Sequence, residues 1–331
     1  NTSAFDEVDL VPDVLAGVSD IDTSRQIMGR DSALPLVLSP TALQRAFHRD
    51  GERAVARAAE KFGIWFGISS LATHSIEEIA ALTKGPKLFQ LYVHKDKGLN
   101  ASMIERCREA QFDALALTVD TIVSGKRERC LRSGFTTPPR FSASSLWSYA
   151  TRPRWTLNYV FGPKFRLPNL DGHVQEGSGK SVSIQDYFNT MLDTGMDWDT
   201  AARIRQDWGG TFALKGVMSA ADARRAVEIG ADAIWISNHG GRQLDGSRAP
   251  FDQLDEIVDA VGGEIEIILD GGVRRGTHIL KSLASGATAA SGGRLYLYAL
   301  AAAGQPGVER AVSILKEEIE RGMRLMGVTS I

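Results

Sequence analysis

The sequence predicts a (β/α)8 barrel, the TIM-barrel class of α/β architecture. Three observations carry this expectation. Eight short apolar or β-branched runs recur along the chain. Helical patterns fall between them, as alternation of strand and helix around a parallel sheet requires. Polar or charged residues follow every run, which places them together at the rim that the carboxyl ends of barrel strands form. A doubly wound open sheet is the competing architecture, but no Gly-x-Gly-x-x-Gly follows the first run. No fixed-period repeat points to a solenoid.

The runs cover residues 34–38, 64–68, 88–93, 114–119, 212–215, 233–236, 265–269 and 288–291. The last is small rather than β-branched. Helix is expected over 54–62, where the pattern is amphipathic, and over 75–82, where Ser75-Ile76-Glu77-Glu78 forms a capping box. Further helices are expected over 220–229, 251–261, 278–283 and 308–325. The whole chain, 1–331, reads as one barrel domain with an insertion of approximately 141–193 after the fourth strand, far longer than an ordinary βα loop.

Composition narrows the function classes. With 43% hydrophobic residues and a formal net charge of -2, the chain has an ordinary globular make-up and no general nucleic-acid signal. Cys107 and Cys130 are too few and too far apart for a disulfide scaffold or a thiolate metal site, which fits a reducing, cytoplasmic compartment. No apolar run approaches a membrane span. The chain begins at Asn1 with neither Met nor a signal-type core, so it reads as a piece of a longer protein.

Chemistry concentrates just past the sixth run, in Ser237-Asn238-His239-Gly240-Gly241-Arg242-Gln243-Leu244-Asp245-Gly246. Glycines let the backbone turn sharply there. A histidine can take a proton near neutral pH, and a guanidinium can grip a carboxylate with two parallel hydrogen bonds. Read alone, the stretch suits either a polar surface loop or a site for a small anion. The other ends decide: Pro40, Thr41 and Ala42; Ser69; Gln90 and Tyr92; Thr118 and Asp120, with Arg127 beyond; Lys215. Asp270-Gly271-Gly272 with Arg274, and Gly292-Gly293 with Arg294, follow the last two runs. Glycine pairs that expose backbone N–H groups beside arginines suit a phosphate at the position where barrels commonly bind one.

These stretches resemble the FMN-dependent L-2-hydroxy-acid oxidases and dehydrogenases: glycolate and lactate oxidases, lactate dehydrogenases and mandelate dehydrogenase. The matching segments are Pro40-Thr41-Ala42, Phe89-Gln90-Leu91-Tyr92, Leu117-Thr118-Val119-Asp120-Thr121, Lys215-Gly216, the His239 stretch and Asp270-Gly271-Gly272-Val273-Arg274-Arg275-Gly276. They span nearly the whole chain in family order. The resemblance implies FMN as cofactor and no metal. It implies His239 as the base, Asp120 as its charged partner, and Arg242, Arg127 and Tyr92 as substrate-binding residues. Lys215 is implied at the flavin's N1/O2 edge. Ser69, Gln90 and Thr118 would bond the ring, with Pro40–Ala42 against its other face. Gly271, Gly272, Arg274, Gly293 and Arg294 would hold the phosphate, with Asp270 towards the ribityl chain. The reaction implied is oxidation of a lactate- or mandelate-like acid to the 2-oxo acid by hydride transfer to flavin N5. Electrons would pass to a quinone or cytochrome, or to oxygen. A homotetramer is implied as well.

The match has departures. Family members carry a preceding segment with a substrate-binding tyrosine, upstream of where this chain starts. Cys130 and His278 stand where relatives commonly have Asp, and Leu71 where glycolate-type members have Trp. The insertion is the largest peculiarity. Between Arg129 and Leu170 there is no Asp or Glu. Arg129, Arg132, Arg140, Arg152, Arg154, Lys164 and Arg166 alternate there with Trp147, Tyr149, Trp155, Tyr159, Phe161 and Phe165. Such interleaving suits an anionic membrane surface, and the resemblance agrees, because membrane-associated members carry their anchor in this loop. A solvated lid or a subunit contact is the other use, and nucleic acid is disfavoured by the barrel context. The competing functional readings are another FMN barrel, such as a flavin-dependent isomerase, and an inactive flavin carrier that docks on membranes.

Overall fold

The computed structural model describes residues 1–128, 132, 143–171 and 190–331. Arg129, Cys130, Arg140 and the 172–189 part of the expected insertion lie outside the described residues. Before the barrel comes a hairpin, β1 (Arg25–Ile27) and β2 (Arg30–Ser32), paired antiparallel with Ile27 opposite Arg30. The barrel strands are β3 (Leu36–Leu38), β4 (Trp65–Ser69), β5 (Lys87–Leu91), β6 (Ala114–Thr118), β7 (Thr211–Val217), β8 (Ala233–Ile236), β9 (Glu266–Asp270) and β10 (Ala289–Gly292). All neighbours are parallel, and β10 pairs with both β9 and β3, which closes the barrel.

The period of two along each strand divides the apolar residues between two cores. On β8, Ile234 and Ile236 join the outer core under the helices, while Ala233 and Trp235 belong to the inner one. On β6, Leu115 and Leu117 face outward, and Ala114 and Ala116 inward. The inner core sets two large rings, Trp65 and Trp235, against five alanines, Ala114, Ala116, Ala213, Ala233 and Ala289. Mixing large and small side chains fills the narrow interior without voids. The small eighth run contributes to this mixture, since Ala289 belongs to the inner core.

The hairpin, unforeseen from sequence, belongs to the same core. Ile27 and Met28 are buried within it, and Met28 N–H donates to Glu266 Oε2 at 2.8 Å. Its turn places both Met28 and Gly29 at positive φ, 47° and 72°, the backbone of a two-residue primed turn. Methionine is not a usual signal for that turn, so the sequence does not announce it.

Eight helices among the described residues cover or flank the barrel: α1 (Gly51–Phe62), α2 (Ile76–Leu82), α3 (Lys97–Glu109), α6 (Trp198–Trp208), α7 (Ala220–Glu228), α8 (Pro250–Val261), α9 (Gly276–Ala284) and α10 (Arg294–Met326). Two more, α4 (Ala143–Ala150) and α5 (Pro153–Val160), lie in the insertion. The Ser75 capping box is formed as its residues predict. α3 and α6 add to the helices expected; each opens on an Asp N-cap, Asp96 to Leu99 N and Asp197 to Thr200 N. α10 is longer than expected because a kink at Ala303-Gly304, followed by Pro306, joins a preceding helix to the predicted one.

The insertion is fastened to the barrel at the loop after β3. Trp155 Nε1 donates to the Ala46 carbonyl at 2.9 Å, and Arg49 N–H donates to Asn158 Oδ1 at 2.5 Å. Tyr149 and Tyr159 stack on the Trp155 ring, with centroids at 5.5 and 5.1 Å. Buried Asn169 then accepts the Ile76 N–H at the start of α2.

Candidate active site

The strand ends bring two linked clusters together. In the first, His239 follows β8 with φ at +56°, a left-handed conformation that histidine adopts more readily than most residues. Local bonds hold it: His239 N–H donates to Ser237 Oγ at 3.1 Å, and Gly241 N–H to Asn238 Oδ1 at 2.9 Å. His239 Nδ1 faces Asp120 Oδ1 at 3.1 Å, and Thr121 Oγ1 donates to the same oxygen at 2.8 Å. With Nδ1 engaged, Nε2 is the atom left to take a proton. Burial alone would raise the Asp120 carboxyl. The charge and hydrogen bond of His239, with Lys215 and Thr121, outweigh it and hold the group below its usual range. Asp120 is therefore an anion at neutral pH.

Close approach makes this pairing possible. Gly216 has φ +111°, and a Cβ there would lie 2.6 Å from the Asp120 Cβ. Asp120 can thus reach His239 only because β7 carries no side chain at that point. The buried Tyr92 hydroxyl bonds Thr121 and lies within electrostatic reach of Asp120, Arg127 and Arg242. Burial, then the Asp120 charge, keeps its proton on well into the alkaline range. Tyr92 is accordingly a neutral donor beside two guanidinium groups.

The second cluster is a buried ion pair. Lys215 Nζ lies 2.5 Å from Asp270 Oδ2 and donates to Ser237 Oγ at 3.0 Å. Ser237 donates in turn to Asp270 Oδ2 at 2.9 Å, and Ser39 Oγ donates to Asp270 Oδ1 at 2.9 Å. Since the Ser39 proton goes to Asp270, the contact with Ser291 at 2.5 Å is a bond from Ser291 to Ser39. Burial would raise the Asp270 carboxyl, but Lys215 and the two serines hold it low. Ser237 joins the clusters, because its Oγ also receives the His239 amide.

The family resemblance implies separate roles for Lys215 and Asp270; the structure bonds them to each other. It also brings in Ser39, Ser291, Gln44 and Tyr296, and it gives partners to Thr121 and Ser237, which the motifs contain without a role of their own. Tyr296 OH donates to the Ser39 carbonyl at 2.7 Å and contacts Thr41 Oγ1 at 2.5 Å, and Gln44 Nε2 bonds Thr41 Oγ1. These lock the Pro40–Ala42 segment. Arg294 is exposed and donates to the Gly240 carbonyl at 2.5 Å, so it stands beside the His239 turn. Arg274 is exposed as well. Gly271 and Gly272 have φ of +124° and +86°, and Gly293 is the N-cap of α10, with no capping side chain. Asn1 packs here, exchanging amide bonds with Asn238 at 2.7 and 2.8 Å.

Whether a flavin fits can be judged from buried polar atoms. Among the described residues Gln90 Nε2 and Thr118 Oγ1 are buried without a hydrogen-bond partner, while Gln90 Oε1 is satisfied by Ser69 at 2.8 Å. Unmet buried donors are costly. Two of them on adjacent strands β5 and β6, near the Lys215 cluster, match the carbonyl and ring-nitrogen edge of an isoalloxazine.

Comparison with known proteins agrees. A family model described as FMN-dependent dehydrogenase matches residues 1–331. The chain is 40% identical to an L-lactate oxidase from Nostoc sp., over all of this chain and 86% of that protein. It is 39% identical to an L-lactate dehydrogenase from Alcaligenes faecalis, over all of this chain and 87% of that protein. Among solved structures, a monotopic membrane protein, (S)-mandelate dehydrogenase, superposes with a TM-score of 0.92 at 34% identity, covering 99% of this chain and 86% of that one. A closed parallel barrel of this design, buried donors suited to a flavin ring and a family match over every residue lead to one conclusion: the chain belongs to the FMN-dependent dehydrogenase family, and FMN is its cofactor.

Proposed function

We propose that the protein oxidises an L-2-hydroxy acid, of lactate or mandelate type, to the 2-oxo acid. The observation that carries this reading is the Asp120–His239 pair beside Tyr92, Arg127 and Arg242. Arg242 and Arg127 bind the substrate carboxylate, and Tyr92 donates to a substrate oxygen. His239 Nε2 takes the hydroxyl proton, and Asp120 stabilises the imidazolium that forms. When bound, FMN supplies the two-electron acceptor for the hydride leaving the carbinol carbon. Lys215 keeps a positive charge near the site and offsets the negative charge that accompanies reduction. Ser69, Gln90 and Thr118 hold the ring. The glycine-rich ends of β9 and β10, with Arg274 and Arg294, hold the phosphate. Anaerobic mixing with L-2-hydroxy acids should bleach the flavin; a spectrum unchanged by every acid would refute the reading. Comparing oxygen uptake with quinone-dye and cytochrome reduction then identifies the acceptor.

The clamp predicts a specific outcome. Arg242→Lys conserves charge but loses the planar fork, so affinity for the acid should fall by about tenfold or more. Titration of the oxidised protein with a 2-oxo acid measures it, and an unchanged Kd would argue against bidentate binding.

We further infer that the insertion rests on an anionic membrane, at its cytoplasmic face. Trp147 and Phe161 are each 73% exposed, with Leu146, Leu157 and Val160 exposed around them. Arg152, Arg154, Lys164 and Arg166 are exposed on the same segment. Among the described residues no helix is long and apolar enough to cross a membrane, so the contact would be peripheral. Each basic residue near an anionic surface contributes on the order of 1 kcal/mol, a part that fades with salt. Trp147→Ser with Phe161→Ser should abolish the salt-resistant part of co-sedimentation with vesicles rich in phosphatidylserine. Equal sedimentation of parent and variant in high salt would exclude the role.

A further inference from the structure

We propose that Gln243 and Gly125 form a clasp that sets the position of the carboxylate-binding arginines. The proposal rests on the functional reading above and extends it to residues that touch neither cofactor nor substrate. Two loops without regular secondary structure carry most of the reacting groups. The loop after β6 holds Asp120, Thr121 and Arg127, and the loop after β8 holds His239 and Arg242. Loops of this kind keep a shape only if their backbone groups find partners. One side chain supplies three of those partners. Gln243 Nε2 donates to the Asp120 carbonyl at 3.2 Å and the Val123 carbonyl at 3.0 Å, while Gln243 Oε1 accepts the Gly125 N–H at 3.3 Å.

The two carbonyls and the one N–H fix which end of the amide points where. No other side chain of similar size offers two donors and an acceptor in this arrangement; Glu would turn an anion toward two carbonyl oxygens. Gly125 completes the fit. A Cβ there would overlap the Arg242 carbonyl oxygen and lie 2.9 Å from the Gln243 Cα. The two backbones touch at this point, with Arg242 on one side and Arg127 two residues further along the other. The clasp therefore fixes the distance between the two guanidinium-bearing segments, and it ties Asp120 to the loop of its partner His239. Gln243 and Gly125 are positioning residues: their effect reaches the substrate through Arg242 and Arg127.

The test uses the FMN-loaded protein and the variants Gln243→Leu, Gln243→Glu and Gly125→Ala. Two ligands are compared: an L-2-hydroxy acid that reduces the flavin, and the uncharged amide of the same acid. Each variant should raise KM for the acid by about tenfold, the scale of a displaced charge-assisted contact. The maximal flavin-reduction rate should fall less, and KM for the amide should move much less than KM for the acid, because the uncharged amide lacks the charge-assisted bidentate contact with the arginines. Gln243→Leu combined with Gly125→Ala should be no worse than the poorer single variant, because both act through one contact. If KM for the acid is unchanged in all three single variants, or if acid and amide weaken together, the clasp does not set the arginines. If Gly125→Ala fails to fold, the two Gln243 variants still decide; if those fail, Gly125→Ala decides from the other loop. A parent protein that no hydroxy acid reduces overturns the functional reading itself, and the clasp's role with it.

Discussion

Flavin reduction by an L-2-hydroxy acid should fall by about two to four orders of magnitude in His239→Gln, the usual cost of losing a general base. FMN should stay bound, with an ordinary oxidised spectrum, because the unmet donors suited to the ring come from Gln90 and Thr118 on other strands. Gln keeps the approximate size and can still donate to Asp120 Oδ1, so the turn after β8 need not collapse. Stopped-flow bleaching under anaerobic conditions separates proton transfer from whatever acceptor follows. A variant that reduces at the parent rate would remove His239 from the base's role. The pH dependence sharpens the test. Asp120 lies below the ordinary carboxylate range, so its charge is present at neutral pH and is lost only as pH falls through that lowered value. Any loss of rate above about pH 4 thus belongs to a group other than Asp120.

How far the sequence discloses this site depends on the range of each interaction. The eight strands are legible because a barrel strand buries both faces and leaves a continuous apolar run; each expected run overlaps an observed strand. The strand ends are legible because polar residues abruptly follow those runs. Which partner each polar group takes is not legible. Lys215 and Asp270 are 55 residues apart and meet only because β7 and β9 flank β8. Ser39, Ser237 and Ser291 complete that cluster, yet serine at a strand end is an ordinary loop residue. Gln243 lies inside the most recognisable motif of the chain, and its bonds to the loop after β6 follow from loop geometry that no local pattern encodes. The hairpin before β3 is hidden for a related reason: Met28 is held at positive φ by burial in the barrel rather than by its own preference. The insertion shows the opposite balance. Its charge asymmetry is plain in the sequence, whereas its attachment through Trp155 and Asn158 to the loop after β3 is a tertiary fact.

The second large effect is expected at the Lys215–Asp270 pair. Both side chains are nearly buried, 5% and 12% exposed, and Asp270 accepts from Lys215, Ser39 and Ser237. Asp270→Asn keeps the shape but leaves an ammonium group without its counter-charge. Breaking a buried pair from one side typically costs about 3–5 kcal/mol, a large share of the stability of a domain. Urea unfolding of the FMN-free protein measures this without a contribution from cofactor binding. The sign with pH follows from Asp270. Its carboxyl is held low, so its contribution is complete above the ordinary carboxylate pKa of about 3.9 and is lost as pH falls through the lowered value. The gap between parent and Asp270→Asn should therefore be constant near neutrality and narrow in strong acid, where the parent also carries a neutral group. Removing both ends together, as Lys215→Met with Asp270→Leu, should recover much of the loss, because no uncompensated charge remains. That double variant should nevertheless reduce its flavin slowly, since the cation that offsets the charge of reduction is gone. Stability restored together with activity would show that the pair serves packing alone; stability lost equally in single and double variants would show that it is held by its shape and not by its charge.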